Sequence, residues 1–321
     1  MSSGPRSRLR VLYRHYGGDN TKPRPPYYSK MLALTSLLRA ADALDTPPEL
    51  VYINDQVRPG PVLSLMESTG EVVEARGGSD SRSYRFMLER EAARSAPAEQ
   101  FLWFSEDDYL YRPDALRHLV AGAATLSDVD YLTMYGSRAL DTGASGRRVV
   151  RRSVTGAAGD PAAVTIGDVQ WYHAVSTTST FGTRLGTLRE DLRLLNLCAV
   201  SGGSWDHTTA LAIAGFLPFT GAQLRADLLP GRSVPLVGWP RTIMRGGVRL
   251  AVTARSLRRP SHRRRLFAVD PELISHMESE QPGSRPEPSA RTAATDWAAI
   301  AEATSAWAEE RGISVDQQVT S

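Results

Sequence analysis

Cysteine is almost absent from this chain of 321 residues. The single Cys198 excludes an internal disulfide and fits a reducing compartment. Lysine is nearly as scarce. It occurs only at Lys22 and Lys30, so 38 − 2 = 36 of the 38 basic residues are arginine. No apolar run is long enough to cross a membrane. The longest, residues 210–219, is broken by Gly215 and Pro218 and falls far short of the roughly 18 residues a span needs. Residues 1–10 lack the apolar stretch of a secretory signal, so the expectation is a soluble, cytoplasmic chain. Several chemistries are missing their motifs. There is no G-x-x-x-x-G-K-[ST], no G-x-G-x-x-G and no G-x-S-x-G, and the six histidines show no H-E-x-x-H spacing, which sets zinc aside. Acid is absent from one interval: no Asp or Glu occurs between Asp227 and Asp270, where ten arginines do.

What is present is ordinary globular material, 41% hydrophobic and 23% charged, enough for one large domain or two. Strand-like and helix-like stretches alternate. Residues 8–16, 49–53, 71–75, 101–104 and 131–135 read as strands. Residues 29–44, 62–67, 81–95 and 113–126 read as helices between them. That alternation predicts an α/β fold with a mostly parallel, layered sheet. Residues 141–168 read as a hairpin or surface insertion, 169–180 as a strand running into a polar loop, and 185–195 and 205–214 as helices, the second capped near Ser204. A Pro/Ser/Gly/Glu-rich stretch from Glu278 reads as a mobile linker, before a terminal helix capped by Thr295 and stopped by Gly312.

The most informative stretch is Phe101-Leu102-Trp103-Phe104-Ser105-Glu106-Asp107-Asp108. Four apolar residues predict a strand buried on both faces, and three carboxylates follow where it ends. Ligands bind outside the carboxyl ends of strands in open α/β sheets. Like charges about 4 Å apart repel by roughly 1 kcal/mol in water and roughly 4 kcal/mol at an effective dielectric of 20. Such a cluster needs water or a cation. In extended chain Glu106 and Asp108 point the same way, toward one ion, while Asp107 faces elsewhere. The alternative is a solvated acidic turn, against which the apolar Tyr109-Leu110-Tyr111 argues.

The order of these features resembles a glycosyltransferase of the GT-A fold, particularly the large inverting family-2-type group, over about residues 8–220. The resemblance implies a Rossmann-like nucleotide-binding sheet. Its GT-A domain would span 1–225, with a nucleotide-binding half over 1–130 and an acceptor half over 131–225. A basic segment (226–277), the linker (278–294) and the terminal helix (295–312) would form a C-terminal extension. By resemblance Asp55 contacts the base or is a strand-end turn residue, and Glu106-Asp107-Asp108 stands for D-x-D in donor binding. Asp108 would be the main ligand of Mg²⁺ or Mn²⁺, with Glu106 on the ribose or a metal water, and His276 or His262 closing the site, His276 preferred. Ser204-Trp205-Asp206-His207 matches the position of the general base. Asp206 is the candidate, though an Asp there also stabilises a helix dipole. His207 is a second candidate or a surface residue.

Trp171, His173 and Thr177 lie where an acceptor pocket belongs, Trp171 and His173 also being readable as core. Arg82 and Arg85, after Gly77-Gly78, approach the nucleotide or form a solvated helix face. The implied partners are a nucleoside diphosphate sugar and a hydroxyl acceptor, whether glycan, lipid-linked or small molecule, with no nucleic acid. The acid-free 228–269 interval reads either as basic surface or as the site of an anionic partner. A membrane surface would place the protein peripherally at the inner face. Rival readings are a sugar-nucleotide nucleotidyltransferase, which needs a Gly-rich first loop with Arg and Lys over the triphosphate and against which the loop Gly17-Gly18-Asp19-Asn20 argues, and a non-catalytic nucleotide-sugar or glycan-binding protein.

Overall fold

The computed structural model describes residues 8–18, 22–126, 128–137, 162–174, 176–229, 238–257, 264–278 and 287–315. Asp19, Asn20, His262, Arg232, Arg258, Arg259, Arg263 and most of the 141–168 stretch lie outside them.

The chain opens with β1 (Arg10–Tyr16), α1 (Lys30–Asp42), β2 (Glu49–Asp55), α2 (Pro61–Thr69), β3 (Glu71–Ala75), α3 (Asp80–Ala92) and β4 (Phe101–Glu106). These four strands pair in parallel in the order β3-β2-β1-β4. The winding therefore moves outward from β1 to β3, then jumps back to place β4 on β1's other side. That reversal between β1 and β4 is a topological switch point, where a crevice opens at the carboxyl ends of the strands.

Beyond β4 the sheet continues through β11 (Phe181–Arg184), β6 (Tyr131–Thr133), β12 (Leu266–Asp270), β9 (Val169–His173) and β8 (Val164–Ile166). Only β11 and β9 run against the other seven of the nine strands, so the sheet is mainly parallel, as the alternation predicts. The inner strand β12 comes from the interval that the sequence assigned to a basic C-terminal segment. Its burial on both sides explains its unbroken Leu266-Phe267-Ala268-Val269 run.

Two layers cover the sheet because its side chains alternate. Val11, Tyr13 and Trp103 face a core shared with α1, α2 and α4 (Ala115–Thr125). Leu12, Leu102 and Phe104 face one shared with α3, α5 (Leu185–Ala199) and α6 (Trp205–Ile213). Behind α5 and α6 lie α7 (Gly221–Leu228) and α8 (Trp239–Leu257), and Val252 of α8 joins the second core. Part of the expected linker is helical: Ala290–Ala293 forms α9, where Ser289 and Thr292 hydroxyls reach Asp270. Then α10 (Trp297–Glu309) packs its Trp297, Ile300 and Ala301 against Leu32 and Ala33 of α1. Its cap is Asp296, whose carboxylate accepts from Ala299 N at 2.9 Å, one residue beyond the expected Thr295. Among the described residues no helix is long and apolar enough to cross a membrane.

Two buried ionic ties were not legible in the sequence. Arg10, 6% exposed, donates to Glu91 at 2.9 and 3.1 Å and to Glu49 at 2.8 Å, clamping α3 to the start of β1; Glu91 is fully buried. Asp227, at the end of α7, accepts from Arg245 at 2.7 Å and Arg249 at 2.6 Å of α8. Burial works to raise the Asp227 carboxyl, but the two guanidinium groups outweigh it and hold it below its ordinary value.

Arg10→Met should cost about 3–5 kcal/mol, because it strips a buried carboxylate of its main partner. Arg76→Met, at an exposed pair 3.9 Å from Glu74, should stay within about 1 kcal/mol. Urea unfolding of both variants checks this, and equal midpoint shifts would refute it. A second expectation concerns acid. A depressed folded-state value means that Asp227 stabilises the fold fully above its unfolded value of roughly 3.9 and loses that contribution as pH falls through the lower folded value. The stability gap between wild type and Asp227→Asn should be widest near neutrality and shrink below about pH 4. A gap independent of pH would count against it.

Candidate active-site cleft

A cleft of about 580 Å³ opens at the β1/β4 switch point, lined from both layers of the fold. Its floor is the carboxylate triplet after β4, and the pleat sends each carboxylate to a different cation. Glu106 turns to the α3 side and pairs with Arg14 of β1. Arg14 also reaches Asp80 at the start of α3 and the Ser83 and Ser179 hydroxyls at 3.3 and 3.5 Å. Burial pushes the Glu106 carboxyl up to about 7 against the pull of Arg14, with Asp108 and Asp80 adding to the rise. Asp107 turns to the α1 side. Its Oδ2 lies 2.8 Å from His15 Nδ1, an ion-pair contact, and 3.1 Å from Lys30 Nζ, and accepts from Tyr16 N at 3.0 Å. Burial would raise this carboxyl, but those partners overcome it and hold it well below the carboxylate range.

Asp108 is drawn to the far end of the chain. The short strands β5 (Tyr109–Tyr111) and β13 (Ile274–His276) pair antiparallel with His276 opposite Tyr109, and Met277 N donates to Asp108 O at 2.8 Å. This places His276 Nε2 3.1 Å from Asp108 Oδ2 and 3.3 Å from Glu278 Oε2, with the imidazole stacked on Tyr109. Burial lowers the His276 ring value, but Asp108 outweighs burial and the net shift is upward; Asp108 is held low in turn. Asp108, His276 and Glu278 each offer one ligand atom, all within 4.8 Å of one another. Two carboxylates and an imidazole suit Mn²⁺, and less closely Mg²⁺. The same carboxylates already hold protein cations: Arg24 Nη1 is 3.2 Å from Asp108 and Lys22 Nζ 2.8 Å from Glu278.

Asp55, at the end of β2, is buried and accepts from Gly78 N at 3.0 Å. That close approach depends on Gly77, where a Cβ would sit 2.7 Å from the carboxylate, and on Gly78 at φ +65°. Another wall is the turn into α6. Gly203, Trp205 and Asp206 line the cleft there, and Trp205 packs on Tyr84 with centroids 4.5 Å apart. Ser204 occupies the N-cap without a side-chain bond, and Asp206 Oδ1 accepts from His207 N at 2.8 Å instead. Asp206 thus serves the helix start and faces the cleft at once. Burial raises its carboxyl, with the His207 N–H opposing.

Several expected residues differ in place or partner. Glu106 lines the cleft but pairs with Arg14 and is not a member of the Asp108 cluster. Arg82 and Arg85 are not among the residues lining the cleft, because the buried Ser83, Tyr84, Met87 and Leu88 fix the rotation of α3; Arg85 pairs with Glu89 at 3.6 Å. Trp171 is core, seated on Gly122 of α4, where a Cβ would approach its ring to 2.7 Å. His173 lies against Phe267, ring centroids 6.1 Å apart. Thr177 bonds the Thr133 hydroxyl at 2.8 Å, and it is its neighbours Thr178 and Ser179 that reach the cleft. His207 likewise does not line it. The sequence reading missed Arg14, Lys22, Arg24, Lys30 and Glu278. A signal existed for two of them: the chain's only lysines both line this cleft.

No family model matches the chain, and no curated protein matches it. Among solved structures it is similar to TarS of S. aureus, at 16% identity and a TM-score of 0.37, covering 64% of this chain and 33% of that one. The chain therefore spans about a third of the length of that protein. Residues 1–349 of TarS in complex with UDP match at 15% identity and 0.40, covering 76% of this chain and 80% of that fragment. A 4-diphosphocytidyl-2C-methyl-D-erythritol synthase matches at 12% identity and 0.36, covering 65% and 84%. Overlap at this level carries no weight for the chemistry, which rests on the cleft itself.

Proposed function

We propose that the chain is a glycosyltransferase that moves a sugar from a nucleoside diphosphate sugar to a hydroxyl acceptor with inversion. The observation that supports this reading is one cleft, at the switch point, lined both by a cation-rich carboxylate–histidine cluster and by the half-buried Asp206. Asp55 and the Gly77-Gly78 turn hold the nucleoside end. Lys22, Arg24 and Lys30 meet the diphosphate oxygens. Asp108, His276 and Glu278 would hold Mn²⁺ or Mg²⁺, which neutralises charge on a diphosphate leaving group. Asp206 takes the proton of the acceptor hydroxyl as its oxygen bonds the anomeric carbon and the bond to diphosphate breaks. A carboxyl raised by burial is the stronger base for that step. The reading places the enzyme in the cytoplasm, on the side where nucleotide sugars are made.

One observation favours a second reading. The loop after β1 delivers Lys22 and Arg24 into the cleft, the kind of cationic loop a nucleoside triphosphate requires in a nucleotidyltransferase. The products separate the two: a nucleoside diphosphate from a nucleotide sugar in the first case, pyrophosphate from a triphosphate and a sugar phosphate in the second.

Asp108→Ala should abolish the Mn²⁺ enhancement of nucleoside diphosphate binding in a chain whose far-UV circular dichroism still shows it folded. Calorimetry showing unchanged, metal-stimulated affinity would remove Asp108 from the site. Asp206→Asn should retain nucleotide binding and lose roughly 10²–10⁴-fold in turnover. Near wild-type turnover with a confirmed acceptor would place the base elsewhere.

A further inference from the structure

Helix α8 is amphipathic the wrong way round. Its inward face is Gly246, Val252, Thr253 and Ser256, small or weakly apolar residues packed toward α5, α6 and α7. Its outward face carries Pro240, Ile243, Met244, Gly247, Leu250, Ala251 and Ala254, spaced at three and four residues, so that they form one stripe along the helix. Met244 is 67% exposed, Leu250 48% and Ile243 42%; Leu229, just past α7, is 69% exposed. These four are among only nine large apolar side chains exposed in the described residues, and three of them are the most exposed of all. Scattered exposed apolar residues need no explanation, but a contiguous stripe marks an interaction surface.

Charge selects the partner. Arg241 and Arg255, fourteen residues apart and on one helical edge, border the stripe and are exposed. Arg245 and Arg249 are committed to Asp227. Arg264 binds Asp130 and Asp191 at 3.0 and 2.8 Å, and Arg265 binds Asp128 at 3.0 Å. Within the 228–269 interval, Arg264 and Arg265 thus join β12 to the turn before β6 and to α5. Among the described residues, the border of α8 remains for an outside anion. No carboxylate lies between residues 228 and 269 to receive those arginines from a second copy, and a two-fold contact through this stripe would set like charges together.

We propose that α8 docks the protein on an anionic lipid surface. Ile243, Met244, Leu250 and Leu229 enter the acyl boundary, and Arg241 and Arg255 meet lipid phosphates. The inference does not depend on the transfer reaction, since lipid binding needs no donor.

The full chain should float with vesicles of phosphatidylglycerol and phosphatidylcholine, bind at least about tenfold less to phosphatidylcholine alone, and detach as salt shortens the Debye length. The double variant Met244→Glu/Leu250→Glu should lose about tenfold or more of that binding, with circular dichroism and urea midpoint unchanged. Arg241→Gln/Arg255→Gln should lose severalfold and lose the salt dependence with it. No flotation of the wild type, equal binding to neutral vesicles, or binding untouched by the glutamate pair would each overturn the proposal. So would a wild-type dimer in sedimentation that the glutamate pair turns into monomer, for the stripe would then be covered by a second copy.

Discussion

Three consecutive carboxylates at the end of a buried strand are the constraint from which the rest of the cleft follows. Left together, Glu106, Asp107 and Asp108 would repel by several kcal/mol in a partly buried site. The pleat of β4 separates them first, alternately to the α3 and α1 sides and then into the cleft mouth. Each then requires its own positive partner. Glu106 has Arg14, Asp107 has Lys30, and Asp108 has Arg24 and His276. None of these partners is in the triplet's own segment, so charge balance ties the first strand, the first loop and the end of the C-terminal ribbon to one point.

That arrangement explains the position of the cleft. The fold reverses its winding between β1 and β4, which leaves their carboxyl ends uncovered by a connecting helix. Cations gathered there to balance carboxylates are also placed to meet the oxygens of a bound diphosphate. Arg24 joins the two functions in one side chain: it donates to Met277 O at 2.7 Å, contacts Asp108 and stacks on Tyr28. Asp206 stands outside this balance. Its partner is a helix N–H rather than a cation, and its burial is left to raise its basicity.

The arginine-rich interval shows how one compositional feature divides in three dimensions. Arg245 and Arg249 fasten α8 to α7, and Arg264 fastens β12 beside β6 and α5. Among the described residues of this interval, the border of α8 keeps Arg241 and Arg255 without a carboxylate assigned to them, beside an apolar stripe that faces outward. The ion pairs of this interval draw their carboxylates from Asp128, Asp130, Asp191 and Asp227, all outside it.

The sequence alone determined the elements whose pattern is local. The apolar runs at 49–53 and 101–104, the helical period across residues 30–42, and the acidic turn after a buried strand are short-range consequences of side-chain alternation, and they sufficed for an α/β sheet with a site at its strand ends. Tertiary structure decided which charges meet. Pairing β13 with β5 brings Glu278 to Asp108 across 278 − 108 = 170 residues, and no periodicity encodes that register. The rotation of α3 turned Arg82 and Arg85 away because Tyr84 and Met87 are the residues its core needs. The same logic made Trp171 core, since Gly122 leaves a place for its ring. Side-chain type announces that a cation or a base is available; only the packing of distant elements decides what it faces.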